Sequence, residues 1–134
     1  MNKRILALDI GDKWIGVAHS DALQIIVSPY QTWQINQFEK ELSNYLLKHK
    51  VAFILIGLPR TMQGNNSEQT NKVLMWVEEI KIKFKDIIFK LQDERLSSQI
   101  AKKILIQNKN KKNSDHTIAA CIILENFLLH YNKK

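Results

Sequence analysis

The run Val51-Ala52-Phe53-Ile54-Leu55-Ile56-Gly57-Leu58 is apolar without a break and stops at Pro59. A strand with one wet face alternates, so an unbroken run of this length reads as a strand covered on both faces, as in a parallel sheet. Parallel neighbours need crossover connections. The rest of the chain supplies them, because short apolar runs alternate with stretches of helical period.

Taken in order, Ile5 to Asp21 reads as two short strands joined by a tight Gly11-Asp12-Lys13 turn. Gln24-Ile25-Ile26-Val27-Ser28-Pro29-Tyr30 follows as a third strand that Pro29 confines to an edge or terminates. From Asn36, the expected cap, the period becomes helical through Phe38, Leu42, Tyr45, Leu46 and His49. The last of these, His49, reads as a helix-end dipole partner or a surface residue. After the apolar strand, Gly57 to Asn66 is rich in turn formers, which suits a plain connection or the rim of a site beyond a strand's carboxyl end. Asn66 and Gln69 resemble a capping box opening a helix through Val73, Val77, Ile80 and Phe84. Ile87 to Gln92 is the next strand and delivers Asp93-Glu94-Arg95 at its end. A helix from about Ser97 carries Ile100, Ile104 and Leu105, and a polar Gln107–Ser114 segment precedes a last helix from about Asp115 to Tyr131. The expectation is an α/β fold with a mixed five-stranded sheet flanked by helices, in a single domain spanning residues 1–134.

The lone cysteine, Cys121, lies in an apolar run and reads as core, and its solitude excludes an internal disulfide framework. With no leader-like start and no apolar run near the ~18 residues of a membrane span, a cytoplasmic setting is expected. The formal charge is +7, and most of the excess falls in the second half, where 13 basic residues face 8 acidic ones between positions 68 and 134. Lys102, Lys103, Lys109, Lys111 and Lys112 form the densest cluster, without an acid between positions 95 and 112. That pattern suits a polyanionic partner or a solvated helix end.

Asp9 is the single charge inside the first strand, on the face of Ile5 and Ala7, at the end where the chain turns back. On its own it reads as a turn-capping residue or as part of a site. Glu94 also falls at a strand end. If the two strands are parallel neighbours, the carboxylates converge at one sheet edge, with Asp115 and His116 at the start of the last helix above them. Clustered carboxylates suit Mg²⁺ or Mn²⁺, and two such ions are suited to phosphodiester hydrolysis.

Four ordered blocks carry a resemblance. They are Leu8-Asp9-Ile10-Gly11-x-Lys13-x-Ile15-Gly16-Val17-Ala18-x-Ser20-Asp21, Gly57-Leu58-Pro59-x-x-Met62-x-Gly64, Asp93-Glu94-Arg95-Leu96-Ser97, and the lysine-rich stretch before Ala119-Ala120-x-Ile122-Ile123-Leu124. Together they resemble the YqgF/RuvX family of pre-16S ribosomal RNA nucleases and Holliday-junction-resolvase-like proteins of the RNase H superfamily. The resemblance implies an RNase H-like fold and a metal-dependent endonuclease processing the 5′ end of pre-16S rRNA. It implies that Asp9 and Glu94 are metal-binding catalytic carboxylates, with the Gly57-Leu58-Pro59 loop and Arg95 beside them. Lys13, Arg95, Lys109, Lys111 and Lys112 are the expected substrate contacts, and pre-ribosomal particles are possible partners of a monomer or weak dimer.

Two positions depart from the family pattern. Asp12 stands where Thr is usual, and the third acid, expected three residues before the Ala-Ala pair, falls on His116, with Asp115 one residue earlier. His116 is therefore expected to line the site, either as a neutral imidazole ligand or as the mark of a decayed site. Asp115 is the alternative ligand, about 100° away around the helix, and otherwise its N-cap.

Three rival functions remain at this point. A junction resolvase would use the same chemistry on branched DNA, and a nucleic-acid-binding protein would lack catalysis. An actin-like ATPase or sugar kinase would share Asp9-Ile10-Gly11-Asp12-Lys13 but needs a second domain. Trp76 reads as helix packing, Trp14 as the one tryptophan that could lie near a substrate, and His19 and His130 as structural or surface residues.

Overall fold

β1 (Arg4–Ile10) occupies the middle of a five-stranded sheet because both its faces are apolar: Leu6, Leu8 and Ile10 point one way, Ile5 and Ala7 the other. The computed structural model describes residues 2–61, 63–95 and 115–131. β1 pairs antiparallel with β2 (Trp14–Ser20) and parallel with β4 (Val51–Arg60). β3 (Val27–Gln34) adds to β2 antiparallel, and β5 (Phe89–Arg95) adds to β4 parallel. The order is β3-β2-β1-β4-β5 with β2 alone reversed, the mixed RNase H-like sheet that the resemblance implied.

The apolar β4 run is covered on both sides, as its lack of alternation requires. Ile54, Ile56 and Leu58 enter one core with Phe38, Leu42 and Tyr45 of α1 (Phe38–Lys48) and Val73, Val77 and Ile80 of α2 (Glu68–Lys83). Phe53 and Leu55 enter the other with Ala120, Ile123, Leu124 and Leu128 of α3 (Asp115–Tyr131). Each buried Leu or Ile contributes about 1.5–3 kcal/mol. The two cores hold the helices on opposite faces of the sheet, whose parallel strands β1, β4 and β5 end at one edge.

Several local expectations need correction. The third strand starts later and runs longer than expected, because Asp21 Oδ1 accepts the backbone N–H of Ile25 and Ile26 at 2.7 and 2.8 Å and bends that segment into a turn. Pro29 still sits on an edge strand. Asn36 is not a helix cap, since a 3-10 turn spans Ile35–Gln37 and α1 begins after it. The capping box at α2 belongs to Ser67 and Thr70, not to Asn66 and Gln69, and Asn66 instead bridges Arg60. β5 begins at Phe89 and includes Asp93, Glu94 and Arg95 rather than stopping before them. The helix expected from Ser97 lies outside the described residues.

His19 and His49 belong to an aromatic group on the α1 side, with Tyr30 and Tyr45. His19 Nδ1 shares a 2.7 Å hydrogen bond with the Tyr45 hydroxyl. Burial, then the nearby Arg4 and His49, lowers its pKa to about 4, so the ring is neutral at pH 7. Cys121 borders the α3 core, and burial pushes its thiol up to about 11, which fits a packing role.

Candidate active site

Parity along the strands sets the site. Asp9 shares the α3 face of β1 with Ile5 and Ala7, and it pairs with Gly16 of β2. Lys90, Gln92 and Glu94 share the corresponding face of β5: Lys90 Nζ lies 4.2 Å from the Phe53 ring centre, and Gln92 Nε2 donates to the Ile123 carbonyl of α3 at 2.9 Å. Asp9 and Glu94 therefore project from the carboxyl ends of parallel strands toward one side of the sheet. The strands are not neighbours, however, because β4 runs between them. What closes the gap is Gly57. A Cβ there would meet Ile123 Cδ1 at 2.4 Å and Glu94 Cγ at 3.4 Å, so the glycine gives both side chains room above β4.

The start of α3 supplies the other wall. Gly16 lets its first turn rest directly on β2, and the Thr32 and Thr117 hydroxyls meet at 2.6 Å to pin it. This places His116 Nδ1 3.4 Å from Asp9 Oδ2, with both side chains partly exposed. Asp115 is exposed in the first turn of the helix.

Burial raises the pKa of Glu94 above the ordinary carboxylate range. Hydrogen bonds from Gln92 and Asn126 pull it back, and the charges of Asp93 and Asp9 push it further up. A half-buried carboxylate facing a second one is a place where a cation would be welcome. Gln92 and Asn126 were not singled out from the sequence. The i, i+2 spacing of Gln92 and Glu94 on one strand face was the available signal for Gln92, and Asn126 gave only a polar break in an apolar helix.

Lys13 is exposed at the tip of the hairpin beside Asp9, where Gly11 N–H donates to the Trp14 carbonyl at 2.8 Å to close the turn. Arg95 ends β5, and its side chain lies outside the described residues, as do Lys102, Lys103, Lys109, Lys111 and Lys112. Among the described residues, no group of three or more His, Cys, Asp and Glu side chains stands close enough to hold a metal ion as it is. Nor is any helix among them long and apolar enough to cross a membrane.

A family model described as RuvX, Holliday junction resolvase, matches residues 3–130. The chain belongs to the RuvX family. Within that relationship, a protein of Desulforamulus reducens named "Putative pre-16S rRNA nuclease" is 39% identical over 133 residues, covering 93% of this chain and 96% of its own. A protein of Rickettsia peacockii with the same name is 36% identical over 136 residues, covering 95% and 86%. Another, from Sulfurihydrogenibium, is 39% identical over 129 residues, covering 93% and 89%. The RuvX match spans the Asp9 hairpin, the β4 end, Glu94 and the start of α3, all of which lie between residues 3 and 130.

Proposed function

We propose that this chain is a divalent-metal-dependent endonuclease that hydrolyses phosphodiester bonds of precursor ribosomal RNA at the 5′ end of pre-16S rRNA. The observation that carries the reading is the pairing of His116 Nδ1 with Asp9 Oδ2 at 3.4 Å, with Glu94 at the carboxyl end of β5 on the same side of the sheet. The relatives named for pre-16S rRNA support the substrate.

The donor chemistry fits Mg²⁺ or Mn²⁺. His116 Nδ1 and Asp9 Oδ2, 3.4 Å apart, stand close enough to share one ion. Asp9 and His116 would hold an ion together, and Glu94 would complete the set from the end of β5, with Asp115 the reserve donor one residue earlier on the helix. When bound, the ion polarises a phosphoryl oxygen and acidifies water. Gln92 holds Glu94 in place from its own strand, at 3.4 Å from Glu94 Oε2. Lys13, Arg95, Lys109, Lys111 and Lys112 neutralise flanking phosphates, so affinity falls steeply as salt rises. The protein would act in the cytoplasm as a single-domain monomer or weak dimer, on free precursor or within pre-ribosomal particles.

A second reading, binding without cleavage, draws support from the lack of a ready three-ligand cluster among the described residues. Branched DNA is the third, favoured by the family's description. The test is cleavage of a labelled precursor-rRNA fragment with Mg²⁺ or Mn²⁺ by wild type and by Asp9→Asn, Glu94→Gln, His116→Ala and Asp115→Ala. Metal-dependent cleavage lost with Asp9 and Glu94 supports the nuclease, and loss with His116 or Asp115 identifies the third donor. Binding without cleavage, with cleavage gained by His116→Asp, would favour the second reading. Preferential cleavage of a four-way DNA junction in competition with the RNA would favour the third.

A further inference from the structure

β2 and β3 end beside the Asp9 hairpin in a groove of about 270 Å³, lined by Asp12, Lys13, Trp14, Gln34, Ile35 and Asn36. Its volume lies just below the ~300 Å³ at which pockets for drug-sized ligands begin. A single base-sized ring therefore suits it better than a whole cofactor. Trp14 is the unusual member. Trp33 is 2% exposed within the core, whereas Trp14 is 42% exposed. Strand parity puts Trp14 on the face of Gly16 and Ala18, which is the α3 face that carries Asp9 and His116. It stands two residues nearer the hairpin turn than Gly16, the partner of Asp9.

The surroundings of the ring combine the apolar Ile35 with polar side chains, among them the Asp12 carboxylate beside Lys13. Gln34 is the cross-strand partner of Trp14, so the two side chains are neighbours on one face. The backbone N–H of Ile35 donates to the Lys13 carbonyl at 2.9 Å and ties the end of β3 to the turn. An exposed indole on a rigid hairpin, flanked by the amides of Gln34 and Asn36 and by the Lys13 ammonium, matches the needs of a nucleobase. Such a base offers an aromatic face to stack, donor and acceptor edges to read, and a phosphate to neutralise.

We infer that Trp14, with Gln34, Asn36 and Lys13, forms a stacking subsite for one unpaired base of a single-stranded segment adjoining the Asp9 site. The inference deepens the nuclease reading and rests on it for the direction of the strand. Its consequence is a preference for single-stranded over fully paired substrate, because a base already stacked in a duplex cannot lie on the indole.

The test uses the full-length protein in EDTA, so that no cleavage occurs. A 12-nucleotide single-stranded RNA and a blunt duplex containing the same strand are titrated while tryptophan fluorescence and its quenching by iodide are followed. The expected result is that the single strand, but not the duplex, reduces iodide quenching of wild type and leaves that of Trp14→Ala, which retains the partly exposed Trp76, unchanged. Trp14→Ala should weaken single-strand binding roughly tenfold, in keeping with the loss of one base–aromatic stack. Trp14→Phe keeps a ring, should bind within about threefold of wild type, and guards against a folding defect in the alanine variant. Equal binding by Trp14→Ala and wild type, or equal shielding by the duplex, overturns the subsite. Should the subsite fail while wild type still cleaves in an Asp9-dependent way, the nuclease reading survives alone. Should Trp14 be shielded by a protein that never cleaves with either metal, the subsite survives and the nuclease reading fails.

Discussion

Replacing Gly16 by alanine should damage the fold and the site together. A Cβ at that position would lie 1.9 Å from the carbonyl oxygen of His116, 2.1 Å from its carbonyl carbon and 2.6 Å from the Thr117 nitrogen. All three atoms are backbone in the first turn of α3, so no side-chain rotation relieves the overlap. Ordinary carbon contacts lie at ~3.5–4.0 Å, and the helix start must retreat by more than about 1 Å. Overpacking of this kind costs about 1–3 kcal/mol, and losing the Thr32–Thr117 hydroxyl bond adds about 1 kcal/mol. A total near 2–4 kcal/mol is a large share of the ~5–15 kcal/mol that holds a domain folded. The same retreat carries His116 away from Asp9, and a displacement of ~1 Å in a site can cost on the order of 10²-fold in rate. Urea unfolding followed by circular dichroism measures the first effect, and cleavage of the precursor fragment at saturating metal measures the second. A Gly16→Ala protein with the wild-type urea midpoint and cleavage rate would refute the close docking of α3 on β2.

Three further outcomes follow from the same geometry. His19 is held neutral with a folded pKa of about 4, below its unfolded value, so the unfolded chain binds the extra proton as pH falls. Stability should be full above pH 6.5 and decline toward pH 4 by about 1–2 kcal/mol, after discounting for the half-exposed ring; His19→Gln should flatten that decline in pH-dependent unfolding, and an unchanged slope would count against it. Glu94 is the opposite case of a carboxylate with a raised folded pKa, whose ionisation opposes folding as pH rises through that value. Glu94→Gln should accordingly raise the melting temperature at pH 7 in metal-free buffer while abolishing cleavage, and a lower melting temperature would contradict the desolvation argument. Ser67→Ala removes the acceptor for the Thr70 N–H at the start of α2 and should cost about 1 kcal/mol, read from the urea midpoint, with cleavage unchanged.

The parts of the fold governed by period and by turn chemistry were legible in the sequence. Val51–Leu58 announced a doubly covered strand, Gly11-Asp12-Lys13 a hairpin, and Asp115–Tyr131 a helix packed on the sheet. The hairpin and helix stand where expected, while the strand does not stop at Pro59 but stays paired with β5 through Arg60, taking in the first residues of the expected Gly57–Asn66 loop. Boundaries set by side-chain to backbone hydrogen bonds were not legible. Asp21 captures two amides and delays β3, and Ser67 outcompetes Asn66 as a cap, choices that depend on where the backbone already lies. The carboxylates could be paired by their positions at strand ends, but the strand between them could not be seen. Nor could the work of Gly57, whose missing side chain matters only because Ile123 and Glu94 arrive from distant parts of the chain. Topology put both Asp115 and His116 above the carboxylates, and the resemblance singled out His116 by register, since nothing local distinguishes it from a surface histidine at a helix start.

Asp9 and His116 are 107 residues apart in the chain. During synthesis at ~5–20 residues per second, the hairpin carrying Asp9 exists for roughly 5–20 s before His116 is even joined to it. Until α3 folds onto Gly16 and Ala18, one wall of the site is missing and the apolar face of β1 that it covers is open. A site built this way is incomplete while the chain is being made. Asp9 emerges early, whereas Glu94 comes much later and the His116 beside Asp9 follows only 107 residues after it.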